Sequence, residues 1–422
     1  MGSLSPSPTP TLRSSGAVGR RGGLVANLAT HRTAFRDAFG PAAKVLSYFS
    51  PGRVNLFGGH LDYNGGPVVP TAIDRGTFIC LSPRSDGRIR LASTFEGTTF
   101  DGLLQDLPKA RLGAWFDYPL GVVIALLGAQ ETNGAAAVTT GHPLKGGFDV
   151  LFGGNLPVGA GLSSSASICV GTATALDDAF DLGLTPVERV HAALSSERGF
   201  VGVQCGIMDP YAVGFAQPRR VLWLDCKDKS YEHLPLDFER LSIGVVDTGV
   251  QRALARGEFN RRVSECQEAF QALAPHVNGA TVMRDIPKEV LDAHVHELEP
   301  SVAKRATHVV NEVERAFQAR KALLAHDYAA LGESMTATHH SLRDLYECSS
   351  EELDVLVDAA TACDGVFGAR LTGAGFGGCI VMLVSSDAMK EATVAVQSAY
   401  EERYGKTPPV AFFQGDEGPR RV

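Results

Sequence analysis

Residues 50–70 read SPGRVNLFGGHLDYNGGPVVP, a polar, glycine-rich stretch set between two apolar segments with the pattern of strands. Within ten positions it carries Arg53, His60 and Asp62. A buried arginine needs an anionic partner, which is either a ligand or a carboxylate. Taken singly, His60 and Asp62 are more typical of satisfied polar groups than of ligand contacts. Three such residues on one loop favour a binding site.

The composition is that of a soluble globular protein. The 422 residues are enough for two or three domains, with 44% apolar and 20% charged residues. A formal net charge of −8 argues against an electrostatic surface for nucleic acid or for an anionic membrane. No run approaches about 20 apolar residues, so we expect no membrane span. This charge is still compatible with a local basic pocket for a phosphorylated ligand.

The eight cysteines contain no C-x-x-C pair, and most lie inside apolar runs such as SICVG (167–171). This pattern indicates reduced, buried thiols and a cytoplasmic protein. A disulfide framework or a zinc site is disfavoured.

The order of the predicted elements divides the chain into a tail and two domains. Residues 1–38 are rich in Ser, Pro, Gly and Arg, which predicts a disordered tail and leaves a transit peptide open. Beyond them, strands and helices mix without the strict alternation of a doubly wound sheet. We therefore predict an α+β protein with an N-terminal domain over 39–238 and a C-terminal domain over 239–422.

The stretch PVGAGLSSSAS (157–167) links a predicted strand to an apolar helix. Glycines let the backbone approach a ligand, and the N-terminus of the helix offers free N–H groups and the positive end of a dipole. These are the properties of a phosphate cradle, in which serine hydroxyls can also reach a magnesium ion. A flexible Ser/Gly linker is disfavoured because the run is tied between two elements. The chain has no G-x-x-x-x-G-K-[ST] motif, so this is not a Walker-type loop.

A second glycine-rich run, GAGFGG (373–378), formally fits G-x-G-x-x-G. The strand-like CIVMLV that follows it is not the helix that a dinucleotide-binding fold requires. Two interpretations stay open for this run: a loop that closes over phosphates, and a purely structural turn.

Two acidic residues are candidates for chemistry. Asp209 lies in CGIMDP, where its segment alone favours a turn or N-cap residue over a general base or charge stabiliser. Glu197 lies near the end of a predicted helix, and its alternative is a solvated surface glutamate.

Three motifs together carry a resemblance. SPGRVNLFGGHLDYNGG, GNLPVGAGLSSSAS and RLTGAGFGGC are similar, in this order, to the signature motifs of the GHMP small-molecule kinases. The galactokinase branch is the most similar, through the first motif and VGVQCGIMD. The resemblance implies an N-terminal domain of the ribosomal protein S5 domain 2-like fold and a C-terminal ferredoxin-like GHMP domain. It also implies transfer of the γ-phosphoryl group of Mg-ATP to an alcohol, which in galactokinases is the anomeric hydroxyl of the sugar.

The resemblance further implies roles for individual residues. Asp209 is implied to be the catalytic aspartate, as a base or as an electrostatic group, with Arg53 beside it to balance charge. Magnesium is implied to bind at Ser165 and Glu197. The implied nucleotide-binding residues are Trp115, Tyr118, Pro157, Gly159, Gly161, Leu162, Ser163, Ser164, Ser165 and Ala166. The implied sugar-binding residues are Arg53, Gly59, His60, Asp62, Gly206, Asp209 and Phe259. The expected partners are therefore ATP and a sugar, with no nucleic acid and no membrane, and a monomer is compatible with the sequence.

One position departs from the galactokinase pattern in a way that bears on the substrate. Galactokinases have a glutamate that contacts the C6 hydroxyl of the sugar where this chain has Gly59. Galacturonate carries a carboxylate at C6, and two like charges about 4 Å apart cost about 4 kcal/mol at an effective dielectric constant near 20. Plant galacturonokinases are similar in having a small residue here. We therefore predict galacturonate ahead of galactose and L-arabinose, with Arg75 as a candidate partner for the C6 carboxylate or simply an exposed charge.

Two further departures concern the same site. Phe259 stands where galactokinases have a tyrosine near the sugar, and Pro210 replaces a common glutamine. A rival interpretation is a sensor that binds sugar and ATP without turnover. Because sensors of this kind carry lesions in the serine loop and here GLSSSAS is complete, the sequence favours an enzyme.

Overall fold

The computed structural model describes residues 20–128, 144–156, 161–203, 205–250 and 255–422. In these ranges the chain builds two sheets, each covered by helices. The predicted α+β, two-domain GHMP kinase architecture is confirmed. No described helix is long and apolar enough to cross a membrane.

The first sheet has eight strands in the described residues. They are β1 (Leu46–Phe57), β2 (Pro67–Arg84), β3 (Arg88–Ser93), β4 (Phe100–Leu103), β5 (Gly147–Gly154), β6 (Arg220–Asp225), β7 (Tyr231–Pro235) and β12 (Arg420–Arg421). Their order is β12-β1-β2-β5-β3-β4. In addition, β6 pairs with the first two residues of β2, and β7 pairs with β6. The long antiparallel pair β1–β2 places its connecting loop, residues 58–66, at the edge of the sheet where the site lies.

Helices cover this sheet. They are α1 (Arg20–Phe39), α2 (Asp117–Leu126), α3 (Ser164–Phe180), α4 (Pro186–Ser195) and α5 (Met208–Gly214). A π-helical segment, Ser196–Val201, continues α4. The start of α4 is a capping box, in which Thr185 accepts from the Glu188 N–H and the Glu188 side chain accepts from Thr185.

The second sheet has the strand order β11-β8-β10-β9. Its strands are β8 (Leu241–Asp247), β9 (Val366–Thr372), β10 (Cys379–Ser385) and β11 (Val410–Phe413). The helices of this part are α6 (Ala255–Leu273), α7 (Lys288–His294), α8 (Pro300–Ala325), α9 (Tyr328–Asp344), α10 (Glu351–Thr361) and α11 (Met389–Tyr404). The last strand of the chain, β12, leaves this part and returns to the edge of the first sheet beside β1.

The expectation of a tail over residues 1–38 is wrong for the part of that range that belongs to α1. The ring of Phe35 is fully buried, and His31 is buried with its Nε2 atom 3.0 Å from the carbonyl oxygen of Leu151 on β5. Two buried side chains at i and i+4 give this helix one face that packs on the sheet, which the Ser, Gly and Arg content of the segment conceals. Residues 1–19 lie outside the described ranges.

Candidate active site

Arg53 and Asp209 form a bidentate ion pair at the centre of the candidate site. Arg53 is buried on β1, and Asp209 stands in the first turn of α5. The Nε and Nη2 atoms of the arginine each donate to one carboxylate oxygen, both at 2.6 Å. The third nitrogen, Nη1, donates to the carbonyl oxygen of Gly161 at 2.6 Å. A two-point, charge-assisted pair of this kind fixes the direction of both side chains.

The stretch 157–167, here called the glycine–serine loop, packs directly against this pair through its described residues 161–167. Ser163 adopts a left-handed conformation, with φ of 57°, immediately before α3, and its hydroxyl donates to Asp209. The N–H of Arg53 donates to the carbonyl oxygen of Leu162 at 3.1 Å. A Cβ atom at Gly52 would lie 2.6 Å from that oxygen, so only glycine permits this approach.

The structure places most of the predicted phosphate-loop residues at the N-terminus of α3. Ser164 is exposed there, Leu162 and Ala166 are buried, and Ser165 is half-buried. Pro157 and Gly159 lie outside the described residues.

Ser165 and Glu197 lie together, as the predicted magnesium site requires. Glu197 is 4% exposed on the π-helical segment, and burial raises the pKa of its carboxyl to about 7, against a hydrogen bond from Ser165 and the charges of Arg198 and Arg53. No ion pair within 4 Å links Glu197 to a described cationic side chain. A buried carboxylate and a hydroxyl are hard oxygen donors of the kind that Mg²⁺ prefers, so these residues fit the ion.

Residues 58–66 form the loop that the sequence predicts to bind the sugar, and we call it the sugar loop. It holds His60 among aromatic rings. His60 has a left-handed φ of 60°. Its Nδ1 atom lies 2.8 Å from the hydroxyl of Tyr63, which lies 2.5 Å from the hydroxyl of Tyr346. The ring of Phe259 lies 5.8 Å from the ring of His60, so the structure brings this predicted residue to the site. Burial lowers the pKa of His60 to about 3, which keeps the ring neutral at physiological pH.

Asp62 and Gly206 are in direct contact. A Cβ atom at Gly206 would lie 1.6 Å from a carboxylate oxygen of Asp62, so any larger residue here must displace that carboxylate. Burial raises the pKa of Asp62 to about 6, and the charge of nearby Asp209 adds to the shift. The site therefore presents one ion-paired carboxylate and one desolvated carboxylate side by side.

Comparison with known proteins identifies the family of the chain. The galactokinase galactose-binding signature matches residues 33–83, and the models of the GHMP kinase N-terminal domain and C-terminal region match residues 125–217 and 319–402. A galactokinase of Fusobacterium nucleatum is 38% identical over 88% of this chain and 93% of its own length. A galactokinase of Roseiflexus is 38% identical over 88% and 92%. The chain belongs to the galactokinase family.

Solved structures agree with this assignment. The galactokinase of Lactococcus lactis in complex with galactose aligns with a TM-score of 0.87 and 33% identity, covering 94% of this chain and all of the other. The mevalonate kinase of Methanococcus jannaschii aligns with a TM-score of 0.63 at 20% identity, which is a likeness of fold alone. As a galactokinase-family member, the protein is a sugar kinase of the GHMP type.

The missing side chain of Gly59 does not leave an open space in the site. It is buried, and a Cβ atom there would lie 3.2 Å from both Arg370 Nη1 and a methyl group of Leu342. The direction in which the family's glutamate side chain would leave the backbone is therefore filled by protein. Arg75, the candidate partner for a C6 carboxylate, lies on β2 and pairs with its neighbour Asp74 at 3.3 Å.

The predicted nucleotide-side aromatics stand at the start of α2. Trp115 packs on Phe152 and donates from Nε1 to the carbonyl oxygen of Thr98 at 2.9 Å. The carbonyl oxygen of Tyr118 accepts from Ser196, the first residue of the π-helical segment, at 2.6 Å. An adjacent cavity of about 310 Å³ is lined by Lys109, Ala110, Arg111, Gly199, Phe200, Val201 and Gly202.

Sequence reasoning missed the residues that reach the sugar loop from the C-terminal half of the chain. They are His308, Glu312, Tyr346 and Arg370. In the sequence, His308 and Glu312 stand among other polar residues of α8, such as Asn311 and Glu314, so no local signal distinguishes them.

Proposed function

We propose that this protein transfers the γ-phosphoryl group of Mg-ATP to the anomeric hydroxyl of galactose. The observation that carries the proposal is the Arg53–Asp209 pair at the meeting point of the sugar loop and the glycine–serine loop. Two further groups lie near it: Asp62 with Gly206, and Ser165 with Glu197.

In the proposed reaction the anomeric oxygen forms a bond to the γ-phosphorus, the bond from that phosphorus to the β–γ bridging oxygen breaks, and ADP leaves. Asp209 accepts the hydrogen bond of the attacking hydroxyl, orients its oxygen and takes up its proton as the new O–P bond forms. Arg53 holds Asp209 in place and bears part of the negative charge of the transferred group. Phosphoryl transfer depends mainly on such positioning and on charge stabilisation.

Ser165 and Glu197 are the residues that would hold the magnesium ion, which neutralises phosphate charge when bound. Helix α3 begins at Ser164, and the free N–H groups of its first turn can bind phosphate oxygens. The basic side chains of Lys109 and Arg111, next to the π-helical segment, support a polyanionic substrate on this side.

We propose galactose, in place of the galacturonate that the sequence favoured. Arg370 is the cation nearest to the absent side chain of Gly59, but its three nitrogens donate to the carbonyl oxygens of Leu56, Asn55 and Leu371 at 2.7, 2.7 and 3.0 Å. Three of its five N–H groups are therefore already engaged with the backbone, which argues against a role as the partner of a C6 carboxylate. The relatives at 35–38% identity are galactokinases, which supports the same choice.

A reducing compartment fits the cysteines, and we propose the cytoplasm. All eight are free thiols, five of them buried.

The test is a coupled ADP-release assay with Mg-ATP and equal concentrations of galactose, galacturonate, L-arabinose and N-acetylgalactosamine. We expect the highest kcat/KM with galactose and a sugar 1-phosphate in the ³¹P NMR spectrum of the product. A higher kcat/KM with galacturonate would restore the prediction made from Gly59. Absence of turnover with every sugar, together with sugar binding in calorimetry, would favour the non-catalytic sensor.

A further inference from the structure

Helix α8 holds the backbone of Gly59 from both sides. The N–H of Gly59 donates to Glu312 Oε1 at 3.3 Å, and the carbonyl oxygen of Gly59 lies 3.1 Å from His308 Nε2. His308 and Glu312 are four residues apart and so share one face of the helix. Both are fully buried. We call this pair of contacts the clasp.

The hydrogen bonds define which nitrogen of His308 carries the proton. A carbonyl oxygen can only accept, so Nε2 donates to Gly59. Burial lowers the pKa of His308 to about 3, and the neutral ring has one N–H group only. Nδ1 therefore accepts from the hydroxyl of Ser341 on α9, at 2.8 Å. The clasp is thus oriented by a second helix of the C-terminal part.

Glu312 is ordered in the same way. Its carboxylate accepts from the hydroxyl of Thr338 on α9 at 2.9 Å and from Arg315 Nε at 2.8 Å, in addition to the N–H of Gly59. A buried carboxylate with three donors is held in one position. Two helices that lie about 250 residues further along the chain therefore fix one residue of the sugar loop.

His60, which follows Gly59 in the chain, has an unfavourable backbone geometry. His60 has a φ of 60°, a left-handed conformation that costs a non-glycine residue about 1 kcal/mol and persists only where its surroundings impose it. In this conformation the His60 ring reaches Tyr63 and packs on Tyr346, with ring centres 4.5 Å apart. Release of residue 59 would let the peptide rotate and His60 relax.

We propose that His308 and Glu312 are positioning residues for the sugar loop. They act through the backbone of Gly59 and set the orientation of His60 and the turn that carries Asp62. The effect on the sugar rests on the proposed function, whereas the effect on the loop does not. If His308 and Glu312 only stabilised the fold, their substitution would lower stability without raising the KM for the sugar more than the KM for ATP.

The kinetic test compares His308→Leu and Glu312→Ala with a matched control. The control is His31→Leu, which removes another buried histidine whose Nε2 donates to a distant backbone carbonyl, that of Leu151. We expect each clasp variant to raise the KM for the sugar about tenfold and to change the KM for ATP less than about twofold. His308→Gln retains a donor and should recover most of the loss. The control should lower the melting temperature without raising the KM for the sugar.

The second readout is hydrogen exchange of the amides in residues 57–65, which needs no activity. We expect faster exchange in His308→Leu than in the wild type and no change in His31→Leu. Equal exchange in all three proteins, or a sugar KM in the clasp variants no higher than in the control, would overturn the proposal. If the wild type turns over no sugar, the proposed function is wrong, and the exchange result alone decides about the clasp.

Discussion

The sugar loop and the glycine–serine loop meet at Asp209 but are held by different parts of the molecule. The sugar loop is fixed by helices of the C-terminal half, through the clasp and Tyr346. The glycine–serine loop is fixed by the first sheet, since Ser167 at its end bonds to the carbonyl oxygen of Ser50 and to the hydroxyl of Thr77. The difference teaches that the proposed sugar side draws on both parts of the chain, whereas the contacts described for the glycine–serine loop come from the first sheet.

The largest effect is expected where the two loops join. Asp209→Asn removes one charge from the bidentate pair and leaves the Arg53 guanidinium without its counter-charge. We expect kcat to fall about 10³-fold, with sugar binding retained, because both loops keep their other contacts. Stopped-flow or single-turnover phosphate transfer and calorimetric sugar titration measure the two quantities. Near-normal turnover would show that Asp209 takes no part in phosphoryl transfer.

Gly206→Ala should impair the use of the sugar and leave the binding of ATP nearly unchanged. A Cβ atom 1.6 Å from an Asp62 oxygen must displace that carboxylate. We expect kcat/KM for the sugar to fall about 30-fold, while the KM for ATP stays within about twofold, because the displaced carboxylate belongs to the loop proposed to bind the sugar. Steady-state kinetics with each substrate varied in turn provides the measurement. A parallel rise in both KM values would contradict the division into two sides.

The nucleotide side should show its own pH dependence. Because the pKa of Glu197 is raised to about 7, its carboxylate takes up a proton as the pH falls from 8 to 6 and then cannot bind a cation. We expect the KM for Mg-ATP to rise about threefold to tenfold over this range, and Glu197→Gln to have a high KM that does not vary with pH. If the variant keeps the pH profile of the wild type, another group is responsible.

The raised pKa of Glu197 also makes the stability of the folded protein depend on pH in a defined direction. An acid with a folded-state pKa above its unfolded value binds more protons in the folded state between pH 4.5 and about 7. Glu197 therefore lowers the stability of the ligand-free protein as the pH rises through this window. We expect Glu197→Gln to be more stable than the wild type at pH 8, by about 2 kcal/mol, and equally stable near pH 4.5. Urea unfolding at the two pH values measures the difference.

Gly59→Ala gives the smallest expected effect. The added methyl group would lie 3.2 Å from Arg370 Nη1 and from Leu342, a close contact that a shift of a few tenths of an ångström relieves. We expect a loss of about 1 kcal/mol in the free energy of unfolding and a rise of about twofold in the KM for the sugar. Chemical denaturation and steady-state kinetics measure both. A gain of stability would mean that the space beside Gly59 is open.

The sequence predicted those parts of the site that lie in short contiguous motifs. The resemblance of these motifs to the family singled out Arg53, Asp62, Asp209 and Glu197, whereas the local pattern alone favoured a turn for Asp209 and left a surface glutamate open for Glu197. The structure brings these four residues together. The clasp was not predictable in this way, since its partners are separated by about 250 residues and no local pattern records which side chain reaches a backbone atom.

Gly59 shows the same limit from the other direction. From the glycine alone, the sequence shows only that the side-chain atoms of a glutamate are missing at this position. What fills the space is decided by Leu342 and Arg370, which the fold brings from elsewhere. Helix α1 was missed because its composition resembles a disordered tail, although the spacing of His31 and Phe35 marks one apolar face.

The return of β12 to the first sheet has a consequence for synthesis on the ribosome. Arg420 and Arg421 pair with Phe49 and Tyr48 on β1, and the N–H of Val422 donates to the carbonyl oxygen of Ser47. As the nascent chain emerges, β1 and β2 can pair early, but β12 is the only described strand that pairs with the outer edge of β1, and it forms only when residue 421 has left the exit tunnel. The first sheet is thus completed last, by the segment translated after all of the C-terminal helices, and a nascent chain stopped before β12 would carry an open strand edge available to other chains.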